Sequence, residues 1–106
     1  MLAQKEIKIA KEVRDRLAEI IPVLDICIFG SRARGDATEY SDLDIFIETE
    51  SVSPQVRQQI FDIAWEVGFE EDRVISTIVA TPEDLEKGAM GANPLIKHIR
   101  QEGVHV

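Results

Sequence analysis

Between residues 42 and 48 the sequence alternates between two sets of side chains, a period of two that fits an extended strand and no helix. The first set is Leu43, Ile45 and Ile47, and the second is Asp42, Asp44, Phe46 and Glu48. Such a strand commits the first set to a core and leaves the carboxylates of the second set on the opposite face. The chain must therefore build a sheet with one covered face.

The rest of the chain predicts the order helix, strand, strand, helix, strand, helix, helix, with a brief edge strand at the end. The first helix has the apolar stripe Ile9, Val13, Leu17 and Ile20 and is stopped by Pro22, and the two strands occupy 23–29 and 42–48. The second helix runs from Ser53-Pro54 to Gly68, the third strand spans 74–80, and short helices begin at Thr81 and Asn93-Pro94, the last ended by Gly103. This order predicts one α/β (α+β) domain over residues 1–106, a mixed sheet with helices packed on one side.

Several side chains outside the alternating strand have simple structural interpretations. Cys27, the only cysteine, lies in an apolar run and is predicted to be a small buried residue. Phe61 and Trp65 lie in the second helix, where aromatic residues usually belong to the core. His98 and His105 have no partner at ligand spacing, so we interpret both as surface or hinge residues.

The charge balance narrows the setting of the protein. Twelve Lys plus Arg against twenty Asp plus Glu leave a net charge of −8, which would repel a phosphate backbone over most of the surface. General nucleic-acid binding is therefore not expected. No stretch is apolar enough to suggest a membrane segment, and a single cysteine without a disulfide partner fits a cytoplasmic location.

A phosphate-binding turn is predicted where the first strand ends. Gly30 and Ser31 offer backbone amides, a hydroxyl and a residue without Cβ, so a phosphate oxygen can approach the main chain closely. Arg32 and Arg34 add positive charge beside this point. A P-loop is excluded because the residues after Gly35 are not Lys followed by Ser or Thr, and a dinucleotide fingerprint is excluded because a strand follows instead of a long helix.

A cation site is predicted next to this turn. Asp42 and Asp44 project from the same face of the second strand, about 6.6 Å apart at their bases. Magnesium is commonly held by one or two carboxylates together with nucleotide phosphates. The pair alone would also fit the solvated face of an edge strand. Combined with the turn and the arginines, it favours phosphoryl or nucleotidyl transfer.

The same residues carry a family resemblance. Gly30-Ser31, ten residues and then Asp42-Leu43-Asp44 resemble the signature of the minimal nucleotidyltransferases of the DNA polymerase β superfamily. Residues 94–104 are also similar to the end of that family, so the resemblance covers nearly the whole chain.

The resemblance implies a polymerase β-like fold, a nucleoside triphosphate donor, usually ATP, and Mg²⁺ held by Asp42 and Asp44 as catalytic residues. It implies that Gly30 and Ser31 bind the triphosphate, with Arg32 or Arg34 neutralising its charge. Many such proteins are antitoxins of HEPN ribonuclease toxins, and some transfer AMP to a tyrosine of the toxin. A HEPN-type toxin is therefore an expected partner, in a homo-oligomer or a hetero-oligomer that completes the cleft.

One departure from the family pattern leaves a second hypothesis open. Active members supply a third acidic residue from a later strand, but residues 74–80 contain no carboxylate. The nearest acids, Glu70, Glu71 and Asp72, precede that strand and are interpreted as solvated loop charges. The alternative function is a catalytically impaired nucleotide-binding module that neutralises a HEPN toxin by direct binding.

Overall fold

The computed structural model describes residues 4–29, 42–87 and 93–106. In chain order the elements are α1 (Gln4–Ala18), β1 (Val23–Phe29), β2 (Leu43–Thr49), α2 (Pro54–Glu71), β3 (Ile75–Ala80), α3 (Pro82–Glu86), α4 (Pro94–Glu102) and β4 (Val104–His105). This order confirms the predicted one, including the short terminal strand. No helix in these three ranges is long and apolar enough to cross a membrane.

The four strands form one mixed sheet in the order β3-β2-β1-β4. β1 is antiparallel to β2 and to β4, whereas β2 and β3 are parallel. Leu43 pairs with Ile75, and Asp44 is opposite Phe29. The beginnings of β2 and β3 and the end of β1 therefore meet at one end of the sheet, which is the end that carries the predicted site.

Helices cover both faces of the sheet, so the prediction of one covered face is wrong. On the first face, α1 and α2 pack against the apolar set of β2 and against Ile26 and Ile28 of β1. On the second face, Leu85 of α3 and Ile96 of α4 pack against Phe46, which is fully buried. The residues of β2 on this second face therefore differ along the strand: carboxylates lie near its ends, and Phe46 in its middle belongs to the core.

The end of α1 differs from its prediction by half a turn. The helix stops at Ala18, before Pro22 is reached, and Ile20 is exposed while Ile21 joins the core. The backbone amides of Ile20 and Ile21 both donate to the carbonyl of Leu17 at 2.9 Å, which tightens the last turn. This tightening moves the apolar stripe from Ile20 to Ile21.

The start of α2 is confirmed, but its end is not at Gly68. The Ser53 side chain accepts a hydrogen bond from the Val56 amide at 3.1 Å, with Pro54 in the first turn. The helix continues to Glu71 and ends at Asp72, whose backbone is left-handed with φ 55°. Gly68 is needed because a Cβ there would lie 2.5 Å from the carbonyl oxygen of Arg73. Close approach, not helix termination, explains this glycine.

The two aromatic residues predicted to be core residues are exposed. Phe61 and Trp65 each keep 61% of their surface, because Ile60 and Val67 on another face of α2 occupy the core. Two apolar stripes overlap on this helix, and the aliphatic one faces the sheet.

The C-terminal segment closes the second core. Thr81 begins α3 with a complete capping box, and Asn93 accepts from the Leu95 amide at 2.9 Å to begin α4. α4 runs from Pro94 to Glu102 and is ended by Gly103, as the sequence predicts. A Cβ at Gly103 would lie 2.9 Å from the sulfur of Cys27, and the thiol is fully buried, as predicted.

Candidate metal and nucleotide site

The predicted carboxylate pair lies at the end of the sheet where β1 ends and where β2 and β3 begin. Asp42 immediately precedes β2 and is exposed, whereas Asp44 is half-buried within the strand. Leu43 between them is fully buried in the first core. Because alternate residues of a strand point to opposite faces, the burial of Leu43 directs both aspartates to the other face.

The local backbone holds this pair in register. The Leu43 amide donates to the carbonyl oxygen of Val74 at 2.9 Å, and Asp44 is opposite Phe29 on one side and Ser76 on the other. The main chain on both sides of the pair is thus fixed by the sheet. A site built on strands holds its side chains more rigidly than one built on loops.

Ser76 of β3 is part of the site, although the sequence did not single it out. Its hydroxyl donates to a carboxylate oxygen of Asp42 at 3.2 Å. Ser76 is the polar residue that β3 presents beside the two aspartates, where the family resemblance led us to look for a third acid. The sequence did not reveal this contact because Ser76 and Asp42 are 34 residues apart and meet only through the pairing of β2 with β3.

The three acids considered as replacements for the missing carboxylate have other positions. Glu70 and Glu71 belong to α2 and are not loop residues, which corrects the prediction. Glu70 accepts a hydrogen bond from Arg16 of α1 at 2.7 Å. Asp72 caps α2 through its backbone amide. Within residues 4–29, 42–87 and 93–106, no group of three or more His, Cys, Asp or Glu side chains could hold a metal ion.

The donor set of the described site consists of oxygen atoms. Two carboxylates and one hydroxyl suit a hard cation, and Mg²⁺ is usually held by one or two carboxylates with the remaining positions taken by water and phosphate. The residues present therefore fit Mg²⁺ in company with a nucleotide. Gly30, Ser31, Arg32 and Arg34, the predicted phosphate-binding residues, lie outside the residues that the structure describes.

An open groove lies between α2 and the first half of β3, and Ser76 is one of its lining residues. It has a volume of about 990 Å³, and its walls include Phe61, Trp65 and Phe69 of α2 together with Ser76 and Thr77 of β3. Sequence reasoning missed it because it assigned the aromatic residues to the core. An additional signal was present, since Phe61, Trp65 and Phe69 recur every fourth residue beside an aliphatic stripe that already suffices for a core.

Comparison with known proteins gives a consistent family. The sequence model described as nucleotidyltransferase domain matches residues 8–104. A candidate nucleotidyltransferase from Sulfolobus solfataricus is 30% identical, with a TM-score of 0.51, over 78% of this chain and 73% of that one. A search of curated proteins finds no match.

Two further solved structures share the fold at lower identity. A toxin-antitoxin crystal structure with AMP-PNP has a TM-score of 0.64 and 22% identity, over 94% of this chain and 70% of that one. A substituted variant of the toxin-antitoxin MntA-HpeT has a TM-score of 0.62 and 20% identity, over 100% of this chain and 72% of that one. These likenesses confirm the polymerase β-like fold expected from the sequence.

Proposed function

Because this chain belongs to the nucleotidyltransferase domain family, we propose that it transfers a nucleoside monophosphate, AMP from ATP, to a hydroxyl acceptor. The observation that carries this proposal is the placement of Asp42 and Asp44 on one face at the end of the sheet, beside the Ser76 hydroxyl. Nucleotidyl transfer requires charge stabilisation at the attacked phosphate and at the departing pyrophosphate.

In this proposal Asp42 and Asp44 hold Mg²⁺, which when bound would polarise the attacked phosphate and neutralise charge on the leaving group. The Ser76 hydroxyl restrains one oxygen of Asp42 through its hydrogen bond, which would leave the other oxygen available to the cation. Gly30 and Ser31 would bind the triphosphate, and Arg32 and Arg34 would neutralise its remaining charge. Because the described residues place two carboxylates at the site and no third, we propose one resident cation supported by the nucleotide phosphates.

The proposed acceptor is a hydroxyl of a partner protein, a tyrosine of a HEPN-type toxin, for which the chain acts as antitoxin. Two of the structures that share the fold come from toxin-antitoxin complexes, which supports this proposal. A net charge of −8 also suits a partner that binds RNA and is therefore basic.

The test is transfer of label from α-labelled ATP in the presence of Mg²⁺ and the neighbouring gene product. Replacing Asp42→Asn together with Asp44→Asn should lower transfer by at least about 100-fold, because the cation loses both charged ligands. The matched control is Glu48→Gln, a half-buried carboxylate on the same face at the far end of β2. Absence of labelled product with several hydroxyl acceptors would contradict the proposal, as would equal loss in the control.

The second candidate function is neutralisation of the toxin by binding alone, and one observation favours it. The described part of the chain lacks a third carboxylate at the site, and Ser76 stands beside Asp42 and Asp44. If binding alone is sufficient, the double aspartate variant should protect against the toxin as well as the unmodified chain does. Loss of protection in a variant that still folds and binds the toxin would exclude this second function.

A further inference from the structure

Ser76 combines two properties of a hydroxyl acceptor: it lies at the proposed site, and a neighbouring group can take its proton. Its hydroxyl donates to a carboxylate oxygen of Asp42 at 3.2 Å. A serine hydroxyl is a weak nucleophile by itself and is activated by an adjacent general base within hydrogen-bond reach. Because the hydrogen of the hydroxyl is directed at Asp42, the lone pairs of the oxygen are directed elsewhere. Ser76 and Asp42 thus have the arrangement of a nucleophile and its base.

The sheet holds this hydroxyl in place and leaves it accessible. Ser76 pairs with Asp44 across β2 and β3, so its backbone is fixed beside both aspartates. The side chain is half-buried and lines the open groove between α2 and β3. The serine oxygen is therefore both fixed in position and open to solvent.

The other described hydroxyl groups do not share this position. They belong to Thr49, Ser51, Ser53, Thr77 and Thr81. All except Thr77 lie at or beyond the far ends of β2 and β3, more than about 15 Å along the strands from the aspartates. Thr77 pairs with Ile45, which is buried in the first core, so its side chain points to the face opposite Ser76. Among the described residues, Ser76 thus supplies the hydroxyl at the site.

We propose that Ser76 accepts a nucleoside monophosphate from the chain's own site, so that the domain modifies itself. The serine oxygen forms a bond to the α-phosphorus of bound ATP, and the bond from that phosphorus to the oxygen bridging to the β-phosphate breaks. Pyrophosphate leaves with the electron pair of the broken bond. The hydroxyl proton passes along the hydrogen bond to Asp42 and on to water, which reaches this exposed carboxylate. The product is a phosphodiester that joins Ser76 to adenosine.

The inference rests on the proposed function, because the same aspartates must hold the cation and the nucleotide. It adds an acceptor within the chain. An adenylate on Ser76 would stand beside Asp42, where a further nucleotide would have to bind, so modification should stop at one adenylate per chain. It should also lower transfer to any other acceptor, because the site of a modified chain is occupied.

The test is incubation of the chain alone with α-labelled ATP and Mg²⁺, followed by intact-mass measurement and peptide mapping. We expect a mass increase of one adenylate per chain, located on Ser76. The fraction of chains modified at a given time should not depend on the concentration of the chain, because the reaction is intramolecular. ATP labelled at the γ-phosphate should leave no label, because the β- and γ-phosphates depart as pyrophosphate.

Variants of β3 identify the acceptor. Ser76→Ala should lower self-labelling by at least about 100-fold, since the nucleophile is removed. Ser76→Thr should keep it within about tenfold, because threonine carries the same hydroxyl and suits a strand. Thr77→Ala, the matched control one residue along β3, should leave self-labelling unchanged. Thermal unfolding of each variant would verify that the fold is retained.

A second measurement needs neither metal nor nucleotide. A fluorophosphonate reagent reacts with activated serines, and a positioned base accelerates such a reaction by about 10²–10⁴. Ser76 should therefore react at least about tenfold faster than Ser51, an exposed serine after β2. Asp42→Asn should remove the difference, because the amide cannot take the proton.

The outcomes separate this inference from the proposed function. Label on another acceptor but none on the chain would overturn the inference alone, and so would label on a residue between 30 and 41 or equal fluorophosphonate rates at Ser76 and Ser51. Self-labelling that persists in Ser76→Ala would also overturn it. Absence of label on the chain and on every other acceptor would overturn both.

Discussion

Gly68→Ala, which adds a single methyl group, should change the free energy of unfolding measurably, because Gly68 is where α2 closely approaches the segment that leads into β3. The glycine is helical, so Gly68→Ala would by helix propensity alone stabilise the protein by up to about 1 kcal/mol. The added Cβ, however, would lie 2.5 Å from the carbonyl oxygen of Arg73, which is backbone and cannot rotate away.

The expected sign is therefore destabilisation. Relieving the contact requires the Arg73 carbonyl to move, which strains the 2.8 Å hydrogen bond from the Arg73 amide to the Gly68 carbonyl. Overpacking of this kind costs about 1–3 kcal/mol, and weakening the hydrogen bond adds about 0.5–1.5 kcal/mol. After the propensity gain is subtracted, we expect a net loss of about 0.5–3.5 kcal/mol, or a melting temperature lower by about 4–8 °C per kcal/mol.

Urea and thermal unfolding monitored by circular dichroism would measure this loss. The matched control compares Gln59→Ala with Gln59→Gly at an exposed position in the middle of α2, where only propensity acts. There the alanine variant should be the more stable by about 1 kcal/mol. If Gly68→Ala proved more stable than the unmodified chain, the close approach of Arg73 would not be the reason for this glycine.

Two other predictions concern the site and the second core. Ser76→Asp places a third carboxylate beside Asp42, so without metal it should lower the free energy of unfolding by repulsion between the carboxylates. It should also lower, by about tenfold, the Mg²⁺ concentration at which the melting temperature rises. Ser76→Ala is the control, and an unchanged Mg²⁺ dependence would contradict the assignment of Ser76 to the cation site. Phe46→Ala should lower the free energy of unfolding, measured in urea, by about 3–5 kcal/mol, because Phe46 is fully buried under the last two helices. Leu95→Ala, at an exposed position, should lower it by about 0.5 kcal/mol or less. Equal losses in the two variants would contradict the second core.

Local sequence signals predicted the order of the helices and strands and the placement of Asp42 and Asp44 on one face of β2. Ser53-Pro54 and Asn93-Pro94 both begin helices as predicted, because a capping side chain and a proline act within a single turn. Asp42 and Asp44 share a face for the same kind of reason, since strand periodicity is a local property. These features required no knowledge of which elements are neighbours.

The features that the sequence did not predict depend on contacts between distant segments. The burial of Phe46 was not predicted, because the pattern of β2 does not show that α3 and α4 cover the face that Phe46 shares with the carboxylates. Phe61 and Trp65 were assigned to the core because periodicity detects an apolar stripe but not which of two stripes faces the sheet. The hydrogen bond from Ser76 to Asp42 depends on the register between two strands, which no local pattern determines.

Because Cys27 packs against the C-terminal segment, the reactivity of its thiol reports whether that segment is attached to the sheet. The sulfur lies 4.0 Å from the carbonyl oxygen of Ile99, and the backbone at Gly103 leaves no space beside it. An alkylating reagent can reach this thiol only after the last helix has detached from the sheet. The rate at which the single thiol is alkylated would therefore measure how often the C-terminal helix detaches, and no added cysteine or fluorophore is needed.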